Sequence, residues 1–436
     1  MTPDAETRLA GDAQRIFSAA VRAVQAPALL DSVDLGALAG RALETFDCLV
    51  VVGAGKASIP FAGALEERLG PLATRAEGAV VVPSGYPASL PPGVPSPRRI
   101  AVREAGHPVP TDEGAVAALE ALTLAGGASS KDLLIALLSG GGSALWTSPP
   151  SGLPLADVQV TTQMLLLSGQ SIGAINTVRK HVSRISGGQL AAAAAPARLV
   201  ALVLSDVVGD DLATIASGPT VPDPTTFADA LAVVEDLDVP LAVREHLQMG
   251  SRGESPETPT TLPDEPTTVL LGSNRTALVA ARGEAERLGY AVAEVREGVM
   301  GEAREVGVAL ARAAREAPDQ PLIHLWGGET TVTVTSSGRG GRNQEVALAA
   351  SLHLDGSPEA IVVLAGGTDG VDGPTDATGG CVSPLTAGRI RAAGLSPEAL
   401  LSENDAYRAL GAADALLRTG PTHTNVADIS IAVRGD

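Results

Sequence analysis

The stretch that most constrains the fold is residues 132–145, an apolar run ending in Ser139-Gly140-Gly141-Gly142-Ser143 and passing into a helical pattern. A buried strand that gives way to a helix through three glycines bares backbone N–H groups at a helix N-terminus. With no side chains in the way, such a turn suits a phosphate or carboxylate. The alternative is a tight strand-to-helix turn that holds nothing.

The same strand, turn and helix grammar recurs along the chain. Residues 48–58 are a β-branched run ending in Gly53-Ala54-Gly55-Lys56 before a helical pattern to about Leu69. Apolar runs at 78–83, 99–103 and 199–206 read as further strands, and helices are expected near 155–168 and 172–186. Residues 207–226 read as a functional or mobile loop, 227–248 as one helix, and 251–268, rich in Pro, Thr and Glu, as an exposed linker. Beyond it come a strand at 267–272, a helix to Leu288, a strand near 290–295 and a helix near 302–316. Residues 322–334 read as two strands around Gly327-Gly328, and a last strand is expected in 427–433. Strands alternating with helices predict an α/β fold with helices on both sheet faces.

The length of 436 residues allows two or three domains with real cores. A net charge of −19 with 2% aromatics argues against nucleic acid and anionic membranes as partners, so an anionic ligand must find locally gathered cations. Cys48 and Cys381 show no metal-ligand spacing, no apolar stretch is long enough to span a bilayer, and the first 25 residues lack the pattern of a signal peptide. A reduced, cytoplasmic setting is expected. Lysines number three, Lys56, Lys131 and Lys180, among 31 basic residues, which singles out Lys56 in its glycine turn.

Gly53-Ala54-Gly55-Lys56-Ala57-Ser58 is half a dinucleotide fingerprint. Ser58 replaces the third glycine, and the second strand ends in Pro83-Ser84-Gly85 where a ribose-binding carboxylate would stand. A lysine from such a turn is better suited to a phosphoryl or carboxylate group. Asp206, directly after a strand, is a candidate base or Mg²⁺ ligand, while Asp210 and Asp211 read as capping or loop carboxylates. Asn176, Lys180 and Arg184 share one helical face, with Arg179 beside it, as either a substrate surface or a salt-bridged one. Arg342, in the Gly338–Glu345 turn, offers a planar bidentate donor at a helix start. Glu329 follows a glycine pair, and Asp369, Asp372 and Asp376 order a loop, hold Mg²⁺, or do neither. Of the six histidines, His107 is the one able to line a site.

Taken together, GAGKAS, GHPVPTDEG, LLSGGGSAL, INTVRKHVSRISGGQLA, LSDVVGDDLATIASGPTVPD, GSN, GGETTVTV, GRGGRNQEVALA and LAGGTDGVDGPTDATGG, in order from about residue 50 to 380, resemble the glycerate 2-kinase family. Some of its relatives carry the label hydroxypyruvate reductase, which makes an NAD(P)H-dependent reductase the competing reading. The resemblance implies a Rossmann-like three-layer N-terminal domain, set at residues 1–245, and a second α/β domain of MOFRL type at 246–436, with the active site in the cleft between them. It implies ATP- and Mg²⁺-dependent phosphorylation of D-glycerate on its 2-hydroxyl, by a monomer or homodimer. Lys56 and Arg342 are the expected active-site cations, and Asp206, then Asp369, the carboxylate that holds Mg²⁺ or orients the hydroxyl. Ser139, Gly140, Gly141, Gly142, Ser143, Asn274 and Glu329 are the expected ATP or phosphate contacts.

Overall fold

The computed structural model describes residues 1–318 and 320–435. The chain divides into two compact units, one formed by residues 26–271 and the other by residues 1–25 together with 272–436.

The first unit is built on six strands, β1 (Leu49–Ala54), β2 (Ala76–Pro83), β3 (Ala101–Ala105), β4 (Leu133–Leu138), β5 (Arg198–Leu204) and β6 (Thr267–Gly272), ordered β3-β2-β1-β4-β5-β6. Pairing from β3 through β5 is parallel. Parallel strands are covered on both faces, and β1 and β4 are accordingly buried at every residue. Val50, Val52 and Ala54 share one core with Leu134, Ala136 and Leu138 and with Ala117, Ala118, Ala121 and Ala125 of the helix Asp112–Gly127. Alanines at that spacing let the helix axis approach the sheet closely. The register pairs Ala54 with Leu138, so β1 and β4 end level. Strand order reverses between them, and ligands of open α/β sheets gather at such a switch point.

A helical layer of the same unit, Leu155–Leu167, Ile172–His181, Phe227–Val233 and Leu241–Ser251, closes over Val158, Leu165, Ile175, Val178, Phe227, Val243 and Leu247. The single helix expected over 227–248 is therefore two. Pro240 separates them, standing as the N-cap of the second, where its missing N–H costs nothing. The segment expected as an exposed linker is anchored: Thr258 is buried and donates to Asp223 (2.9 Å), and the Glu257 carboxylate accepts the Phe227 N–H (3.1 Å).

The second unit holds β7 (Ala291–Val299), β8 (Leu322–Gly328), β9 (Ile361–Gly367), β10 (Gly379–Val382), β11 (Leu416–Leu417) and β12 (Asp428–Arg434), ordered β11-β10-β9-β12-β8-β7. Only the β7–β8 pairing is parallel among those described; β12 runs antiparallel between β8 and β9. The helix Pro3–Ala23 packs on β9 and β12, burying Leu9, Ile16 and Phe17. Phe17 fits because residue 366 is glycine: a Cβ there would stand 3.0 Å from the ring.

Two expectations differ from this architecture. A contiguous division at 245/246 would separate β6 from the sheet it completes and leave the helix Pro3–Ala23 in the wrong unit, since both join their partners across long stretches of sequence. Nor do residues 330–334 form a second strand after Gly328. Both edges of β8 are already taken by β7 and β12, and Thr331 makes one isolated bridge to Glu302.

Candidate functional site

Polar and glycine residues gather at the carboxyl ends of β1, β4 and β5 in the first unit. The Lys56 N–H donates to the Gly140 carbonyl (3.0 Å) and the Ser139 N–H to that of Ala54 (3.1 Å), which clamps the two glycine turns together. Ser139 Oγ accepts from the Ala57 N–H (3.1 Å). The fit has no spare room: a Cβ on Gly55, whose φ is +137°, would lie 2.1 Å from that Oγ. Asp206 comes off β5 against Gly140, where a Cβ would fall 1.7 Å from a carboxylate oxygen. Gly141, at φ +88°, faces the His107 ring and the Lys56 stem, at 3.3 and 3.8 Å from the place of its missing Cβ. Thus Lys56, His107, Asp206 and residues 139–143 of the expected set share one site.

His107 keeps an exposed edge, yet desolvation of the rest of the ring, and then the charges of Lys56 and Arg179, hold its pKa below the ordinary histidine range. That direction favours the neutral ring, which can accept a proton or a hydrogen bond. Ser143 is linked through Ser217 (2.8 Å) to Asn176 (3.2 Å), whose amide donates to the Thr214 carbonyl (3.1 Å). Ala216 and Ser217 hold left-handed backbone at φ +50° and +58°, a strain that non-glycine residues bear where the surroundings over-determine it. Ser58 is buried at the first turn of the next helix, and its Oγ has no hydrogen-bond partner among the described residues.

The cluster expected on one face around residue 180 divides by function. The helix ends at His181, so Arg184 lies beyond it. Lys180, 6% exposed, is committed to the wholly buried Asp223 at 3.1 Å, with Thr225 and Thr258 on the same carboxylate. Asn176 is spent on the 214–217 turn. Asp211 caps its own turn through Ala213 and Thr214, in line with its reading as a loop carboxylate.

The second unit carries a separate cluster at the end of β8, β9 and β12. Arg342 opens the helix Arg342–Leu354, and its Nε and Nη2 both donate to the carboxylate of Asp428, the first residue of β12. Glu329 stands 2.9 Å from Nη1. Asn343 donates to Asp428 (2.9 Å) and to Asp372 (3.3 Å), while Asp372 accepts the N–H groups of Asn343 (3.1 Å) and Gln344 (2.8 Å) at the positive end of the helix. Burial raises Asp372, and these hydrogen bonds oppose it. Burial pushes the Asp428 carboxyl up to about 6, still below neutral, so at pH 7 the pair is charged. Burial works against the Arg342 charge too, but the hydrogen bonds and charge of Asp428 outweigh it and hold the guanidinium above its ordinary range.

Sequence reasoning missed Asp428, and left Asp372 undecided. A lone aspartate at a strand start carries no spacing signal. Asp369 is half-buried beside this cluster and accepts the Val371 N–H (3.1 Å). Asn274 gives both amide donor bonds to the Val426 and Asp428 carbonyls (2.9 Å each), which makes it a tie between the start of β12 and the helix Asn274–Arg287. Glu329 faces an arginine and, as an acceptor, would meet a phosphate only through a cation or a hydroxyl.

Among the described residues no three His, Cys, Asp or Glu side chains group as a metal cage, and no helix is long and apolar enough to cross a membrane. Mg²⁺ in phosphoryl-transfer sites is held by one or two carboxylates and the substrate phosphates. Asp206, whose carboxylate lies against Gly140 of the glycine turn, fits that donor set.

The chain matches two family descriptions: Domain of unknown function (DUF4147) over residues 12–248 and MOFRL family over residues 322–428. Among curated proteins it is 41% identical to the glycerate 2-kinase of Pyrococcus horikoshii, over 90% of this chain and 89% of that protein. It is 42% identical, over 87% and 86%, to an Agrobacterium vitis protein that carries the provisional name hydroxypyruvate reductase. Among solved structures, the crystal structure of glycerate kinase from Thermotoga maritima superposes with a TM-score of 0.87 at 36% identity, over 98% of this chain and all of that one.

Proposed function

Because the chain belongs to the glycerate kinase family, with its DUF4147 and MOFRL parts, we propose that it moves the γ-phosphoryl group of ATP to the 2-hydroxyl of D-glycerate. The chain is a glycerate kinase; the nucleotide, the metal, the regiochemistry and the residue roles are our reading. The products are 2-phosphoglycerate and ADP. The O–P bond to the β-phosphate breaks as the glycerate oxygen bonds phosphorus, and the hydroxyl proton leaves to a base.

The observation that carries this reading is the convergence of Lys56, His107 and Asp206 on the glycine turn at the switch point of a parallel sheet. Phosphoryl transfer asks for positioning and charge neutralisation more than for covalent chemistry. The 139–143 turn offers phosphate oxygens the N–H groups of Gly140, Gly141 and Ser143, those of Ser139 and Gly142 being bonded to the Ala54 and Ser139 carbonyls, and Lys56 offsets their charge. Asp206 would hold Mg²⁺, which would supply neutralisation of the charge that develops on the transferring group. Arg342 supplies a guanidinium matched to phosphate or carboxylate oxygens. Asp369 is the alternative carboxylate to Asp206 for orienting the hydroxyl. Asn274 and Glu329 remain candidate nucleotide contacts in our assignment, Asn274 indirectly through the start of β12 that it ties. The setting we propose is cytoplasmic, as monomer or homodimer, without nucleic acid or membrane partners.

The test is a phosphorus NMR time course with D-glycerate, Mg²⁺ and ATP, beside a control offering NADH and hydroxypyruvate. Appearance of 2-phosphoglycerate is expected. 3-Phosphoglycerate would keep the kinase and overturn the regiochemistry, and NADH oxidation with intact ATP would favour the reductase. Against that second reading stands β2, which ends at Pro83 without a ribose-binding carboxylate.

A further inference from the structure

We infer that Asp428 is a positioning residue, which fixes the Arg342 guanidinium so that its terminal edge is presented to an anionic oxygen of the substrates. The inference rests on the proposed role of Arg342 in phosphoryl transfer. A guanidinium has two edges that each bind a carboxylate or phosphate with two parallel N–H bonds. Asp428 takes the Nε–Nη2 edge, at 3.1 Å for Nη2. The Nη1–Nη2 edge is left for a second bidentate partner. Glu329, half-exposed, approaches Nη1 and can be displaced by an arriving anion.

Asp428 is well placed for this task. It is the first residue of a strand paired on both sides, opposite Gly328 in β8 and Gly367 in β9, so its backbone cannot shift independently of the sheet. Those two neighbours carry no side chains to crowd it. Its Oδ1 also accepts from Asn343, and Asn343 is tied to Asp372, whose carboxylate caps the helix that Arg342 begins. Gly341 makes the approach possible, since a Cβ there would lie 2.3 Å from the Asp372 carboxyl carbon. The arginine is therefore held on both sides, by Asp372 through the helix turn that follows it and by Asp428 at its guanidinium. An arginine so held has little rotamer freedom to lose when an anion binds.

The experiment compares Arg342→Ala, Asp428→Asn, Asp428→Glu and the Arg342→Ala/Asp428→Asn double variant, with circular dichroism and thermal melting on each. Asp428→Asn should lower kcat at least tenfold while KM for ATP and glycerate changes less than threefold. The double variant should lose no more than Arg342→Ala alone. Millimolar guanidinium ion should restore part of the turnover of Arg342→Ala, because Asp428 still holds a seat for it, and should restore none in the double variant. A merely structural role for Asp428 would not make rescue depend on it. Asp428→Glu keeps the charge while moving the seat by one methylene, so it remains informative if the asparagine variant does not fold. Turnover within twofold of wild type in either single Asp428 variant, with Arg342→Ala inactive, overturns the inference; equal rescue with and without Asp428 does too. Wild-type turnover in Arg342→Ala would instead remove Arg342 from the reaction, and the inference would fall with that reading.

Discussion

Lys56 is the residue on which the kinase reading is most exposed to test. Lys56→Ala should lower turnover by about 10²–10³-fold, the usual cost of one lost donor to developing charge, with an unchanged melting curve. Turnover within tenfold of wild type would remove it from the mechanism. Asp428 adds a pH dependence. Its carboxyl, pushed up to about 6 by burial, faces Arg342, Asn343 and Asp372, and it takes up a proton as the pH falls through that value, releasing the guanidinium. Activity should therefore decline on the acid side with a midpoint near 6, and Arg342→Ala should lack that limb. The sign for stability is opposite: with a folded value above the ordinary 3.8, the folded chain binds this proton more tightly than the unfolded one. This group's contribution to stability grows as the pH falls through the window, so the acid loss of activity should come without loss of the circular dichroism signal. Lys56 and Arg342 were legible because a cation in a glycine turn violates the local rule that puts anions at helix starts. Asp428 breaks no local rule, and its importance comes entirely from what the sheet sets beside it.

At the scale of elements, periodicity and turn residues were sufficient for strands β1 to β8 and β12, and insufficient where tertiary partners decide. The alternating Thr330-Thr331-Val332-Thr333-Val334 reads as a strand, but both edges of β8, which it follows, are taken by β7 and β12. The short β10 and β11 lie in glycine-rich or two-residue segments with no periodic signal. The 251–268 segment has the composition of a linker, yet its Thr258 is bound to a carboxylate that also takes Lys180. That buried pair ties the helix Ile172–His181 to two loops. Lys180→Met should cost about 3–5 kcal/mol in urea unfolding of the intact chain, because Asp223 is left buried and unpaired. The added replacement Asp223→Asn should recover part of the loss; equal stability of Lys180→Met and wild type would assign the pair no structural role.

At the scale of the whole molecule, the two units differ in how the chain supplies them. Residues 26–271 form one continuous segment, while the other unit needs residues 1–25 as well as 272–436. A fragment spanning 26–271 should show cooperative melting by itself. A fragment spanning 272–436 should do so only when a peptide of residues 1–25 is added, because Leu9, Ile16 and Phe17 otherwise leave β9 and β12 uncovered. Cooperative melting of 272–436 without the peptide would show that the first helix is an accessory. The same arrangement sets a timetable during synthesis. The helix Pro3–Ala23 leaves the ribosome well before the strands that cover its apolar stripe, which begin at Ile361. At roughly 5–20 residues per second it waits about 15–70 s, while the intervening unit can already fold. A ribosome-bound nascent chain therefore carries an amphipathic segment without its sheet throughout that interval, a natural target for chaperones that hold exposed apolar helices.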